Sequence, residues 1–90
     1  MNKIHRSKME IYGDLLAVLK EETNNEKIVM TRIQSQINVP FDRFKKYLAE
    51  LHNLGLIQDQ TTLRLTDKGK EYLKGYEQIV IFMERMGLTK

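Results

Sequence analysis

Arg43, Lys45 and Lys46 place three cations within four positions of the segment FDRFKKYLAELHNL, with Asp42 as the one carboxylate beside them. Such a cluster suits close approach to a phosphate-lined groove, because each cation that meets a phosphate releases a condensed counterion. An arginine can also grip a guanine edge through two parallel hydrogen bonds, and Arg43 is the best placed for that. Lys3, Arg6 and Lys8 add cations at the N-terminus and Arg32 in a second segment, while Glu21, Glu22 and Glu26 gather elsewhere. The pattern predicts a molecule basic on one side and acidic on another. On charge alone, an ordinary solvated surface is the competing reading. The net charge of +3 and pI near 9.2 permit nucleic-acid binding without requiring it.

Other chemistries find little support. The chain has no Cys, which removes disulfides and thiolate metal sites and fits a reducing compartment. His5 and His52 fall on different elements without ligand spacing, and neither a nucleophile–base arrangement nor a glycine-rich phosphate loop is present. We therefore expect no enzyme activity, cofactor, metal or small-molecule ligand. The N-terminal segment lacks an apolar signal region, and no apolar run approaches the roughly 18 residues that a bilayer requires. The expected location is cytoplasmic, with the nucleoid, and no membrane partner is expected.

The elements that must position the cations follow from apolar spacing and caps. Ninety residues with 41% hydrophobic content suffice for one small core. Ser7-Lys8-Met9-Glu10 reads as a capping box that starts a first helix, with Met9 or Ile11, Tyr12, Leu15, Leu16 and Leu19 on its core face. The polar stretch 21–27 reads as a loop. Thr31-Arg32-Ile33-Gln34 repeats the capping pattern and opens a short second helix to about Ile37, which Asn38-Val39-Pro40 stops. Proline suits the first turn of the third helix. There Phe44, Tyr47, Leu48, Leu51 and Leu54 share the core face, while Asp42, Lys45, Lys46, Ala49 and Asn53 point away, until Gly55 ends the helix. Residues 56–59 and 62–65 alternate like strands around a Gln60-Thr61 connection, with Arg64 on the outer face. The expected fold is mainly α with a small β-hairpin, the layout of a winged helix-turn-helix.

Thr66 or Asp67 caps a last helix that reaches about Met86, roughly 30 Å at about 1.5 Å per residue. Leu73, Tyr76, Val80 and Met83 form one apolar stripe on it. Tyr72, Ile79, Phe82 and Met86 form another, with Ile81 apart from both. One stripe covers the domain's own core and the other meets the same helix of a second chain, giving a symmetric homodimer; the alternative is that both fold against a single body. The interface residues are then Tyr72, Tyr76, Ile79, Val80, Phe82, Met83 and Met86. Gly69 and Gly75 each cost about 1 kcal/mol relative to Ala, which close backbone packing would explain. Residues 1–66 thus form the winged part and 67–90 the packing and dimerisation helix of one structural domain.

TRIQSQINVPFDRFKKYLAELHNLGLI, then LRLTDKGKEYLKGYEQI and the closing MGL, resemble small archaeal winged-helix regulators and chromatin-associated proteins over most of the chain. The most specific matches are Thr31-Arg32-Ile33, Lys45-Lys46-Tyr47-Leu48, Gly55-Leu56-Ile57, and Leu65-Thr66 with Lys68-Gly69. The resemblance implies a dimer joined through its C-terminal helices that binds double-stranded DNA as a repressor, activator or architectural protein. Two positions depart from the pattern: Pro40 stands where a Ser usually caps the recognition helix, and Ser35 where an aromatic is common. Within this frame Thr31, Arg32, Gln34 and Ser35 hold the phosphate backbone, and Arg43, Lys45 and Lys46 lie at the major groove with Asp42 and Asn53. Arg6, Ser7 and Lys8 anchor a neighbouring phosphate, and Gln60, Thr61 and Arg64 touch the minor groove or its edge. The alternative is a winged helix that docks an acidic protein through the same face, since fold alone does not decide function.

Overall fold

The computed structural model describes residues 7–23 and 30–88, so Arg6 lies outside the described residues. Helix α1 spans Lys8–Glu22 and begins with both halves of the capping box: Glu10 N–H donates to Ser7 Oγ at 3.2 Å, and Ser7 N–H donates to Glu10 Oε1 at 2.9 Å. Ile11, Tyr12, Leu15, Leu16 and Leu19 are buried, whereas Met9 is 45% exposed. The helix continues two residues, Glu21 and Glu22, into the stretch expected as loop. The reason is Glu22, whose buried carboxylate accepts from Gln36 Nε2 at 3.0 Å and sits 3.6 Å from Arg32 Nη1, tying the end of α1 to the next helix.

Helix α2, Met30–Ile37, buries Ile33 and Ile37. Thr31 is already helical, preceded by Met30 in the same helix, rather than at the cap position, which corrects the second capping box. Gln34, expected to answer Thr31, instead donates its amide to Val39 O across the turn. Asn38 takes the left-handed conformation at φ 62, and Pro40 at φ −60 leads into helix α3, Phe41–Asn53, without a side-chain cap. Phe44, Tyr47, Leu48 and Leu51 are buried.

Gly55, at φ 78, closes α3 in a Schellman motif: its N–H reaches His52 O at 3.0 Å and Leu56 N–H reaches Leu51 O at 2.9 Å. The apolar contact that goes with this motif is made by Leu56, which is buried. Leu54, expected on the core face, falls at the C-cap and is 46% exposed.

The expected hairpin contracts to a single antiparallel bridge, Ile57 to Leu65, and no strand forms among the described residues. Gln58 N–H donates to Arg64 O at 2.8 Å and Thr66 N–H to Leu56 O at 3.1 Å. Pairing stops there for a local reason. Asp59 draws the N–H groups of Thr61 and Thr62 onto Oδ1, each at 2.7 Å, and Leu63 turns to φ 58 to drop its side chain into the core. A left-handed residue interrupts the pleat on which a ladder depends.

Helix α4 spans Asp67–Arg85. Thr66 Oγ1 accepts from Gly69 N–H at 3.0 Å and donates to Gly55 O, while Lys68 Nζ donates to Leu54 O at 2.7 Å, so the start of α4 satisfies carbonyls at the end of α3. Gly69 has a clear reason: a Cβ there would lie 2.0 Å from Leu56 O. Gly75 has none among the described residues, because a Cβ there meets nothing of them within 4 Å, and the expected packing at that position is not found among them.

The first half of α4 lies on α1. The ring of Tyr76 covers Gly13, its hydroxyl donates to Asp14 Oδ1 at 3.0 Å, and Tyr72 OH donates to Met9 O at 2.9 Å. Beyond Tyr76 the helix leaves its own core behind. Ile79, Ile81, Phe82 and Met86 are 46–58% exposed.

Candidate nucleic-acid interface

Helix α3 is held by its inner face and free on its outer one. Tyr12 OH donates to Glu50 Oε1, Lys8 Nζ lies 3.5 Å from Glu50 Oε2, and the rings of Tyr12 and Tyr47 meet edge to face at 6.3 Å. The hydrogen bond from Tyr12, more than the nearby Lys8, holds the Glu50 carboxyl below the usual carboxylate range. Burial and that same hydrogen bond push Tyr12 up to about 12. These contacts fix the roll of α3 on α1 and therefore which side chains it presents.

The presented set is Phe41, Asp42, Arg43, Lys45, Lys46 and Asn53, all exposed. Among the described residues neither Arg43 nor Lys46 has an ion-pair partner. Lys45 lies 5.6 Å over the ring of Phe41, which steadies the ammonium without neutralising it. Asp42 stands in the first turn of α3, where a carboxylate complements the helix dipole that Pro40 leaves without a side-chain cap. Sequence reasoning did not single out Phe41. It is 49% exposed at the leading end of the helix, where an apolar ring suits contact with a thymine methyl group. The available signal was an aromatic at the first turn of the helix, three residues ahead of Phe44, where the chain has only just left Pro40.

The other expected contacts divide. Thr31 and Ser35 are exposed on α2 as expected. Arg32 and Lys8 are exposed but paired, with side-chain exposures of 55% and 66%. The Lys8–Glu50 pair is the more exposed of the two and is worth below about 1 kcal/mol, so a phosphate can compete for Lys8, whereas Arg32 answers the buried Glu22 carboxylate. Two donors are spent within the fold: Ser7 Oγ serves the cap of α1, and Gln34 the turn before α3. Gln60 and Thr61 are exposed at the tip of the turn that replaces the hairpin. Arg64 is also exposed but shares its groove with Lys20 and Lys70, and no α3 cation lines that groove.

Two helices joined by a short turn, the second rolled outward with its cations bare, then a bridged turn and a capping helix, define a helix-turn-helix protein of the winged type. The winged helix-turn-helix family model matches residues 5–84, and the chain belongs to that family. No curated protein and no solved structure matches it. Family and fold together point to DNA as the partner. Among the described residues no helix is long and apolar enough to cross a membrane.

Proposed function

We propose that this protein binds double-stranded DNA with α3 in the major groove and acts in the nucleoid as a transcriptional regulator or architectural protein, as a homodimer. The observation that carries the reading is the outer face of α3, where Arg43, Lys45 and Lys46 stand exposed with no ion-pair partner among the described residues, Lys45 lying over the exposed ring of Phe41. Arg43 reads a base edge, Lys45 and Lys46 meet phosphates, and Thr31, Ser35 and Arg32 hold the adjoining backbone from α2. Gln60 and Thr61 reach the flanking groove edge. No catalytic residue or cofactor enters this reading.

The dimer is supported by the second half of α4. Ile79, Phe82 and Met86 form an uncovered apolar row, Val80 and Met83 are half-buried beside it, and Gly75 leaves room for a close approach. The helix ends in a second Schellman motif, with Gly87 at φ 75 and Leu88 N–H donating to Met83 O at 2.9 Å. In the first such motif Leu56 is buried, but here Leu88 is 65% exposed. A second copy of α4 would cover these groups in a short packed interface. Tyr72 and Tyr76 contribute less to it, since each is already bonded to α1.

Gel-shift titration on random-sequence duplex across a salt series tests the DNA reading. Steep salt dependence supports it, and absence of binding at low salt overturns it in favour of an acidic protein partner for the same face.

A further inference from the structure

A second concentration of positive charge lies away from α3, in the groove between the end of α1, the Ile57–Leu65 bridge and the first turns of α4. Lys20, Arg64 and Lys70 line a hollow of about 330 Å³ there. An adjoining hollow of about 240 Å³ shares Lys20 and Lys70 and adds Lys74. All four side chains are exposed, and among the described residues none has an ion-pair partner. Glu77 is the one described carboxylate lining either hollow.

Packing and helix stability account for little of this. Lys20 complements the negative end of α1, which explains one cation. Lys70 has the opposite setting, close to the positive end of α4, and Lys74 follows it one turn later as a like charge on the same face. Leu73 does the packing in this stretch and is buried. The backbone of Arg64 is anchored by Gln58 N–H at 2.8 Å, so the guanidinium starts from a fixed point. Four exposed cations lining two adjoining hollows, with Lys70 set against the dipole of its own helix, match a multiply charged anion that bridges them.

We propose that Lys20, Arg64, Lys70 and Lys74 form a second phosphate-binding site, separate from α3, for a phosphoester of a nucleic-acid backbone or of a phosphorylated small molecule. The site does not depend on α3 binding DNA. Arg64 then serves this groove rather than extending the α3 surface.

The test follows lysine and arginine side-chain NMR signals of the full chain during titration with inorganic pyrophosphate, and separately with random-sequence duplex. Saturable shifts confined to the four groove residues are expected, weakened roughly tenfold in the Lys70→Gln, Lys74→Gln double variant. Both positions are exposed, so the variant should retain the fold, which its amide spectrum checks. If the double variant also lowers the salt slope for duplex by about two, the phosphate belongs to a nucleic acid; an unchanged slope beside lost pyrophosphate binding assigns it to a free phosphorylated molecule. Groove signals that move with neither probe, or pyrophosphate shifts equally large at Lys45 and Lys46, overturn the site. Failure of α3 to bind DNA would leave the pyrophosphate arm readable.

Discussion

Tyr12 donates its hydroxyl hydrogen bond to Glu50, joining the first helix to the outer helix of the helix-turn-helix across 38 positions of sequence. Lys8 reaches the other oxygen of the same carboxylate. A single acidic group on α3 thereby gathers two contacts from α1, and the orientation of the cationic face depends on that attachment.

The attachment makes stability depend on pH at both extremes. The hydrogen bond from Tyr12 lowers the Glu50 carboxyl, so its contribution is present above the ordinary carboxylate range and is lost as pH falls through the lowered value. Tyr12 is raised from 10.0 to about 12, so its contribution is complete below 10 and is lost as pH rises toward 12. Melting temperature followed by circular dichroism should fall on both limbs. Tyr12→Phe should cost about 1 kcal/mol at neutral pH and flatten the alkaline limb. An alkaline limb as steep as in the parent protein would show that other groups govern it; Tyr72, raised by burial, is the first to examine.

Lys46→Ala and Arg43→Ala should separate phosphate contact from base reading. Loss of Lys46 should weaken binding alike on all duplexes and reduce the salt slope by about one. Loss of Arg43 should mainly relax sequence preference, by about 1 to 3 kcal/mol at one base pair. Fluorescence anisotropy over a duplex panel at several salt concentrations measures both. A salt-independent loss for Lys46→Ala would remove its phosphate role.

Gly69 and Gly75 should respond to Ala with opposite signs. Gly69→Ala drives a methyl group into Leu56 O, and overpacking of that kind costs about 1 to 3 kcal/mol. Gly75→Ala meets open space and gains helix propensity of about 1 kcal/mol in the isolated chain. Urea denaturation reads both. If a second α4 packs closely at Gly75, the same substitution should weaken self-association in sedimentation velocity.

Phe82→Glu is the cleanest probe of the dimer. Phe82 is 58% exposed, so the change removes little from the monomer's own packing while placing a carboxylate in the proposed interface. Light scattering at several concentrations should show a dimer for the parent and a monomer for the variant, both with unchanged helicity. Val80→Glu should act in the same direction but also disturb the groove against α1 that Val80 lines with Ala17 and Tyr76. A parent protein that stays monomeric at high concentration would remove the dimer.

Local signals were enough to place four helices and the turn between the second and third. Ser7 with Glu10, Thr66 ahead of Gly69, Pro40, and Gly55 act through backbone groups a few residues away, so their meaning is carried by neighbouring letters. The same holds for the core face of α3 from Phe44 to Leu51. The fate of the hairpin was not local in this sense. Alternating residues around Gln60-Thr61 fit a ladder, but burying Leu63 under the helices outweighed extending the pleat, and Asp59 offered the turn another set of partners. Thr31 and Gln34 matched a cap by spacing, yet Thr31 lies within the helix and Gln34 found Val39 O. Which cations remain outside ion pairs was likewise a tertiary outcome: Glu22 and Glu50 reach Arg32 and Lys8 from other elements, whereas among the described residues neither Arg43 nor Lys46 has an ion-pair partner. Sequence alone determined what each segment could become, because caps and apolar period act over a few bonds. Only the packed chain decided which charges and apolar rows were left uncovered, because that depends on groups brought together from far along it.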